Sequence, residues 1–212
     1  MTEQIIQGSD EWKALRLGKV TASRVSDLVA KTKAGPSASR ANYMAQLIAE
    51  RLTKTPAESY TNAAMQHGTE TEPEARAAYE FYQGVTVAEV AFVPHPTIDQ
   101  AGCSPDGLVG DDGLVEIKCP NTATHLETLI GQAVPAKYET QMQFQMACTG
   151  RQWCDFVSYD PRMPENMRLF TKRVERDDRR IKDLETDIAA FLLEMAVKLS
   201  QLNSLYGLQE AA

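Results

Sequence analysis

No long hydrophobic run occurs in the 212 residues; nothing approaches the roughly 18 consecutive apolar side chains of a membrane span. The first residues, MTEQIIQGSDEW, lack the basic and apolar regions of a secretion signal, so a cytoplasmic location is expected. Cysteine is scarce. Cys103, Cys119, Cys148 and Cys154 form no CxxC pair and no zinc-ligand spacing, which excludes a thiolate metal site and predicts reduced, mostly buried thiols. No repeat or low-complexity linker divides the chain, so a single domain over residues 1–212 is expected. A basic excess is missing too, since the net charge is −7. That excludes a generally basic coat for nucleic acid, but the charge is uneven. Residues 1–60 hold nine Lys/Arg against six Asp/Glu, and the remainder thirteen against twenty-three. Basic groups lining one groove would still suffice for DNA.

What is present reads as helices first and strands later. In the part up to residue 84, Ser9-Asp10-Glu11-Trp12 caps a short helix closing near Gly18, and Thr21-Ala22-Ser23 caps another over 22–30. Residues 31–39, holding Gly35-Pro36, read as a mobile basic loop, and Tyr43, Leu47, Ile48 and Leu52 mark a helix over 40–53. Residues 62–83 suggest a further helix, which Pro73 either kinks or restarts. Extended segments follow at 85–93, 101–109 and 114–119. After them come a helix carrying Tyr138, Met142, Phe144 and Met146, and strands at 153–159 and 167–175. Ile181, Leu184, Ile188, Phe191, Met195, Leu199 and Leu202 then recur at steps of three and four. They predict one long amphipathic helix over 178–205, packing on the core or on a partner subunit. A mixed α/β domain fits this order.

The stretch GCSPDGLVGDDGLVEIKCP, residues 102–120, holds two turn signatures only two residues apart. Gly110-Asp111-Asp112-Gly113 lies between apolar runs and is the expected hairpin turn. Asp106 then falls on the incoming strand and Glu116 on the returning one, with Lys118 on the face of Glu116 and Ile117 opposite. Two close carboxylates repel, and a divalent cation removes that penalty; hard oxygen ligands select Mg²⁺ or Mn²⁺. With Lys118 to position water, this is equipment for hydrolysing a phosphodiester. The plain alternative is a turn residue, a solvent-facing strand residue and its surface partner.

Pro105-Asp106 followed by Glu116-Ile117-Lys118 resembles the signature of the PD-(D/E)XK nucleases, and more narrowly of phage lambda-type alkaline exonucleases. The blocks WKALRLGKVTAS, HGTETEPEAR, SPDGL, EIKCP, YETQMQFQM and YDPRM have counterparts in the same order, covering residues 8–176. The resemblance implies a restriction-endonuclease-like core, a central mixed sheet flanked by helices. It implies a Mg²⁺-dependent enzyme, with Mn²⁺ as substitute, that digests one strand of duplex DNA processively from a 5′ end for recombination. By it, Asp106, Glu116 and the Ile117 carbonyl would hold metal, Lys118 would orient water, and Glu72 would be a further acid beside the metals. Arg16, Ser23 and Ser104 would grip the 5′-terminal phosphate and Lys33 would face the duplex end. Tyr138 and Gln141 would face the site, Gln141 holding the scissile phosphate or a ligand, or else merely packing. A homotrimeric ring around DNA, a single-strand annealing protein as partner, and a phage or prophage origin in a bacterial host are also implied. The chain departs from the pattern at Asn121-Thr122-Ala123-Thr124, which supply no basic residue after EIKCP, and at Pro73 beside Glu72. An endonuclease or single-strand nuclease on the same core, and a non-catalytic DNA-binding phage protein, are the competing readings.

Overall fold

The computed structural model describes residues 5–33, 35–57 and 63–207. In chain order the elements are α1 (Asp10–Arg16), β1 (Val20–Thr21), α2 (Ala22–Val29), β2 (Lys31–Thr32), β3 (Gly35–Pro36), α3 (Ala38–Thr53) and α4 (Ala63–Gln83). β4 (Val87–Ala88), β5 (Val93–Pro94), β6 (Ala101–Cys103), β7 (Gly107–Val109) and β8 (Gly113–Lys118) follow. α5 (Thr122–Gly131), α6 (Ala136–Thr149), β9 (Trp153–Tyr159), a 3₁₀ turn, β10 (Leu169–Glu175) and α7 (Asp178–Tyr206) complete the chain.

A five-stranded sheet in the order β10-β9-β8-β7-β4 forms the centre. β8 and β9 are parallel, and the other pairs antiparallel. Alternation along β8 divides the core into two layers. Leu114 faces a cluster built with α2, α3, α6 and α7. Val115 and Ile117 face a second cluster holding Ala75 and Tyr79 of α4. Helices thus cover both sheet faces, as the resemblance implied, and the fold is mixed α/β.

The GDDG reversal is a three-residue loop, because Val109 pairs with Gly113. Gly110 adopts φ +52°, a conformation that glycine takes without the Cβ penalty. SPDG also breaks the chain. The single extended segment expected over 101–109 is two strands in two sheets: β6 lies between β1 and β5, while β7 belongs to the central sheet. Residues 104–106 carry the chain across. Gly107 re-enters where a Cβ would sit 2.0 Å from Val87 Cγ1, so only glycine allows β4 to approach. The segment 85–93 divides in the same way, between β4 and β5.

Other departures are local. Within the segment expected as a mobile loop over 31–39, Lys31–Thr32 and Gly35–Pro36 pair as short antiparallel strands. Helix α5 went unread; its signals were Asn121, whose side chain accepts from Thr124 N–H, and the left-handed Gln132 that ends it. Pro73 sits inside a continuous α4. By length and apolar content α7 could cross a membrane. Instead its periodic residues Ile181, Leu184, Ile188, Phe191 and Met195 are buried in the core, where α2, α3 and α6 pack on it. All four cysteines are free and buried.

Candidate active site

The central hairpin brings the D…ExK residues together. Gly107 is opposite Val115, so continuing the register sets Asp106 across from Glu116. Asp106 Oδ2 accepts the Ile117 N–H at 2.6 Å, where a ladder carbonyl would otherwise stand. The Ile117 carbonyl leaves the strand on the same edge, toward Asp106. Glu116 is fully buried. Its Oε1 accepts from Gln141 Nε2 at 2.6 Å and also meets the Lys118 ammonium, while its Oε2 accepts from Gln145 Nε2 at 2.6 Å. Gln141 and Gln145 lie one turn apart on α6, which is buried on all sides from Thr140 to Cys148. Sequence reasoning missed Gln145; its spacing of four from Gln141 was the available signal.

Burial and crowding shift the charged groups here away from their ordinary values. Burial, and then the neighbouring Glu116 carboxylate, push the Asp106 carboxyl well above the usual range, against the pull of Lys118. Burial alone would depress Lys118, yet the charges of Glu116 and Asp106 outweigh it and hold the ammonium above the ordinary lysine value. Glu72 is also raised, first by burial, with Arg76 and Lys118 opposing. Among the described residues no three His, Cys, Asp or Glu side chains converge into a cage. A cation between Asp106 and Glu116 would meet two carboxylates and the Ile117 carbonyl, all oxygen donors. That set fits Mg²⁺, which keeps several water or phosphate ligands and is bound through one or two carboxylates.

Beside these residues opens a cavity of about 590 Å³, lined by Glu72, Ile117, Lys118, Lys137 and Tyr138 among others. Glu72 pairs with Arg76 at 2.8 Å rather than with the carboxylate pair. Tyr138 stacks on Phe156, and its ring lies 5.4 Å from Lys118 Nζ and 4.6 Å from Lys137 Nζ. Lys137, also unforeseen, lines this cavity, where Asn121–Thr124 contribute no cation. The YDPRM block is structural: Arg162 ties Asp160 to the Pro120 carbonyl, and Thr122 donates to Asp160 at 2.7 Å.

A second cavity, of about 410 Å³, is lined by Trp12, Arg16, Lys19, Ser23 and Arg24, and it shares Met65 with the first. Arg16 Nη1 donates to Ser104 Oγ at 2.9 Å, and the guanidinium lies 4.2 Å from the Trp12 ring centroid. The Trp12 indole N–H donates to the same hydroxyl at 3.0 Å. Arg16 is half-buried, and burial lowers its proton affinity; among the described residues it makes no ion pair. Ser23 is exposed in the first turn of α2, whose cap residue Thr21 makes no side-chain capping hydrogen bond. First-turn N–H groups and a cation without a counter-ion suit an anion. Lys33 is exposed at the tip of the β2–β3 hairpin and lines neither cavity.

The YqaJ-like viral recombinase domain matches residues 11–152. The chain is similar to the crystal structure of an alkaline exonuclease (LHK-Exo) from Laribacter hongkongensis. Identity is 56% and the TM-score 0.87, over 92% of this chain and 97% of that one. The same values hold for LHK-Exo in complex with dAMP. A phage related exonuclease from Haemophilus somnus 129PT, 17% identical with TM-score 0.71 over 87% and 96% of the two chains, shares the fold. Among curated proteins no sequence matches. The chain therefore belongs to the YqaJ-like viral recombinase family, as an alkaline exonuclease of the lambda type, a nuclease acting on DNA in phage-type recombination.

Proposed function

We propose that the protein is a Mg²⁺-dependent exonuclease that degrades one strand of linear duplex DNA from a 5′-phosphorylated end, releasing mononucleotides and leaving 3′ tails for annealing. The observation that carries this reading is the hydrogen bond from Arg16 to Ser104, two residues from Asp106. Two residues of extended chain span about 7 Å at most, so an anion held between Arg16 and Ser104 would be anchored to the same short segment as Asp106. A phosphate gripped there sets which bond of the strand reaches the site, and only an end can supply it. The binding of dAMP by LHK-Exo accords with a site for a single nucleotide.

The chemistry divides among named residues. Asp106, Glu116 and the Ile117 carbonyl hold a divalent cation, Mg²⁺ or Mn²⁺ in its place, which supplies Lewis acidity at the phosphate. Lys118, kept charged by its carboxylate neighbours, orients the attacking water and stabilises charge developing on phosphate oxygens. Glu72 contributes negative charge at the cavity wall, and Gln141 keeps Glu116 in place. Arg16, Ser23 and Ser104 grip the 5′ phosphate. Tyr138 packs beneath Lys118, and Lys33 reaches toward the duplex on its hairpin.

Residues 1–212 act as one nuclease domain, in the cytoplasm of a bacterial host carrying the phage or prophage. A homotrimeric ring places basic groups around the DNA and acid outside, which reconciles the charge of −7 with the substrate and explains processivity. A single-strand annealing protein receives the 3′ tail. The test compares linear 5′-phosphorylated duplex with closed circular duplex in Mg²⁺. Degradation of the linear form alone is expected; cutting of the circle would favour an endonuclease, and no degradation a DNA-binding protein without catalysis.

A further inference from the structure

Glu116 is held by two glutamines where one would satisfy the reading above. Gln141 and the Lys118 ammonium both address Oε1, and Lys118 lines the cavity. Gln145 addresses Oε2 alone, and it is fully buried and absent from the cavity wall. The two oxygens therefore differ: Oε1 is shared with Lys118, a residue of the cavity wall, while Oε2 meets only the buried Gln145. Gln145 is also a costly residue for mere packing. Its own Oε1 is buried with no hydrogen-bond partner among the described residues. A leucine of similar size would leave no such orphan, so the amide is present for its donor.

Building on the metal reading above, we infer that Gln145 is a positioning residue that withholds Glu116 Oε2 from the cavity, so that Glu116 offers a divalent cation one oxygen. The consequence is ion selection. Ca²⁺ takes 6–8 oxygen ligands at about 2.3–2.6 Å and accepts a carboxylate through both oxygens. Mg²⁺ demands near-octahedral geometry at about 2.0–2.1 Å and is content with one oxygen from each carboxylate. Pinning Oε2 removes a ligand that Ca²⁺ would use and Mg²⁺ would not. Gln145 thereby disfavours Ca²⁺, an ion that would hold the phosphate without the compact geometry of Mg²⁺.

The test titrates Mg²⁺ alone and Ca²⁺ alone into DNA-free protein, reading calorimetric heat and the shift in melting temperature. Wild type is compared with Gln145→Leu, Gln145→Met and Gln141→Leu. Freeing Oε2 in either Gln145 variant is expected to raise affinity for Ca²⁺ relative to Mg²⁺ about tenfold, the usual scale for residues behind a metal ligand. Gln141→Leu, which strips a donor from the oxygen shared with Lys118, should change both affinities and leave their ratio as in wild type. Circular dichroism checks folding. Gln145→Asn, which withdraws the amide by one methylene, replaces any apolar variant that does not fold. An unchanged ratio in the folded Gln145 variants overturns the inference alone. Wild type binding neither ion overturns it together with the metal reading.

Discussion

The two cavities that meet at Met65 are built on opposite electrostatic plans. Around Glu116 the carboxylates are enclosed and bound up internally: both oxygens of Glu116 are hydrogen-bonded, and Lys118 is drawn against it. Asp106 is left with a raised proton affinity in this arrangement. Around Arg16 the charge is left open, since its donor goes to a neutral hydroxyl and its face to an indole. One site crowds two carboxylates around a single ammonium, a surplus of negative charge that a proton or a further cation relieves. The other stores a positive charge that an anion completes. Ser104 and Asp106 put both on one short segment between two sheets, so under the proposed function the same piece of chain would register the metal and phosphate ends of a nucleotide.

The sharpest way to break this contrast is to delete the carboxylate side. Asp106→Ala and Lys118→Ala are each expected to cut degradation of linear duplex in Mg²⁺ by about 10²–10⁴-fold or more, while end binding in a gel-shift assay persists. Removing the open cation should be milder and of another kind. Arg16→Ala should erase about a tenfold or greater preference for 5′-phosphorylated over 5′-hydroxyl ends, since a hydrogen bond to a charged group contributes about 1.5–3 kcal/mol. Equal responses of wild type and variant to end dephosphorylation would dissolve the phosphate pocket.

A third comparison concerns stability without DNA. Because the folded-state proton affinity of Asp106 is raised, its protonated carboxyl favours folding in full below the unfolded pKa, and that benefit is lost as pH rises through the raised folded pKa. At neutral pH and free of divalent ions, Asp106→Asn should melt above wild type, and added Mg²⁺ should narrow the gap. A lower melting point for the variant would contradict the crowded-carboxylate account. The smallest effect lies at the far end of β9. Burial would raise Asp160, but hydrogen bonds from Arg162 and Thr122 outweigh it and bring the group to about 2. Its contribution is therefore complete above about pH 4 and fades as pH falls toward 2. Asp160→Asn should flatten that acid limb of a melting curve series and leave neutral-pH activity nearly unchanged.

Much of the site could be read in the sequence because its chemistry is local. Asp106, Glu116 and Lys118 sit on one hairpin, and a period of two together with a glycine-rich turn fixes which side chains share a face. The expected helices at 22–30, 40–53 and 178–205 also appear, within a few residues, because capping residues and apolar spacing act within the helix itself. The extended segments 85–93 and 101–109 were misjudged for the converse reason. β propensity does not say which sheet a residue joins, and each segment changes sheet midway. Gln145 and Lys137 were overlooked because a buried amide and a cavity-side lysine look ordinary until their neighbours are known.

The sequence by itself determined the hairpin, the alternation that groups Glu116 with Lys118, the amphipathic face of α7 and the ordered blocks of the family. These depend on backbone periods and turn chemistry acting over a few residues. Only the tertiary structure decided that SPDG is a crossing between sheets, that Arg16 reaches Ser104 across 88 residues, and that two glutamines take opposite oxygens of one glutamate. Those are choices of partner, and partners are selected by burial and packing of the whole chain, which no local pattern encodes.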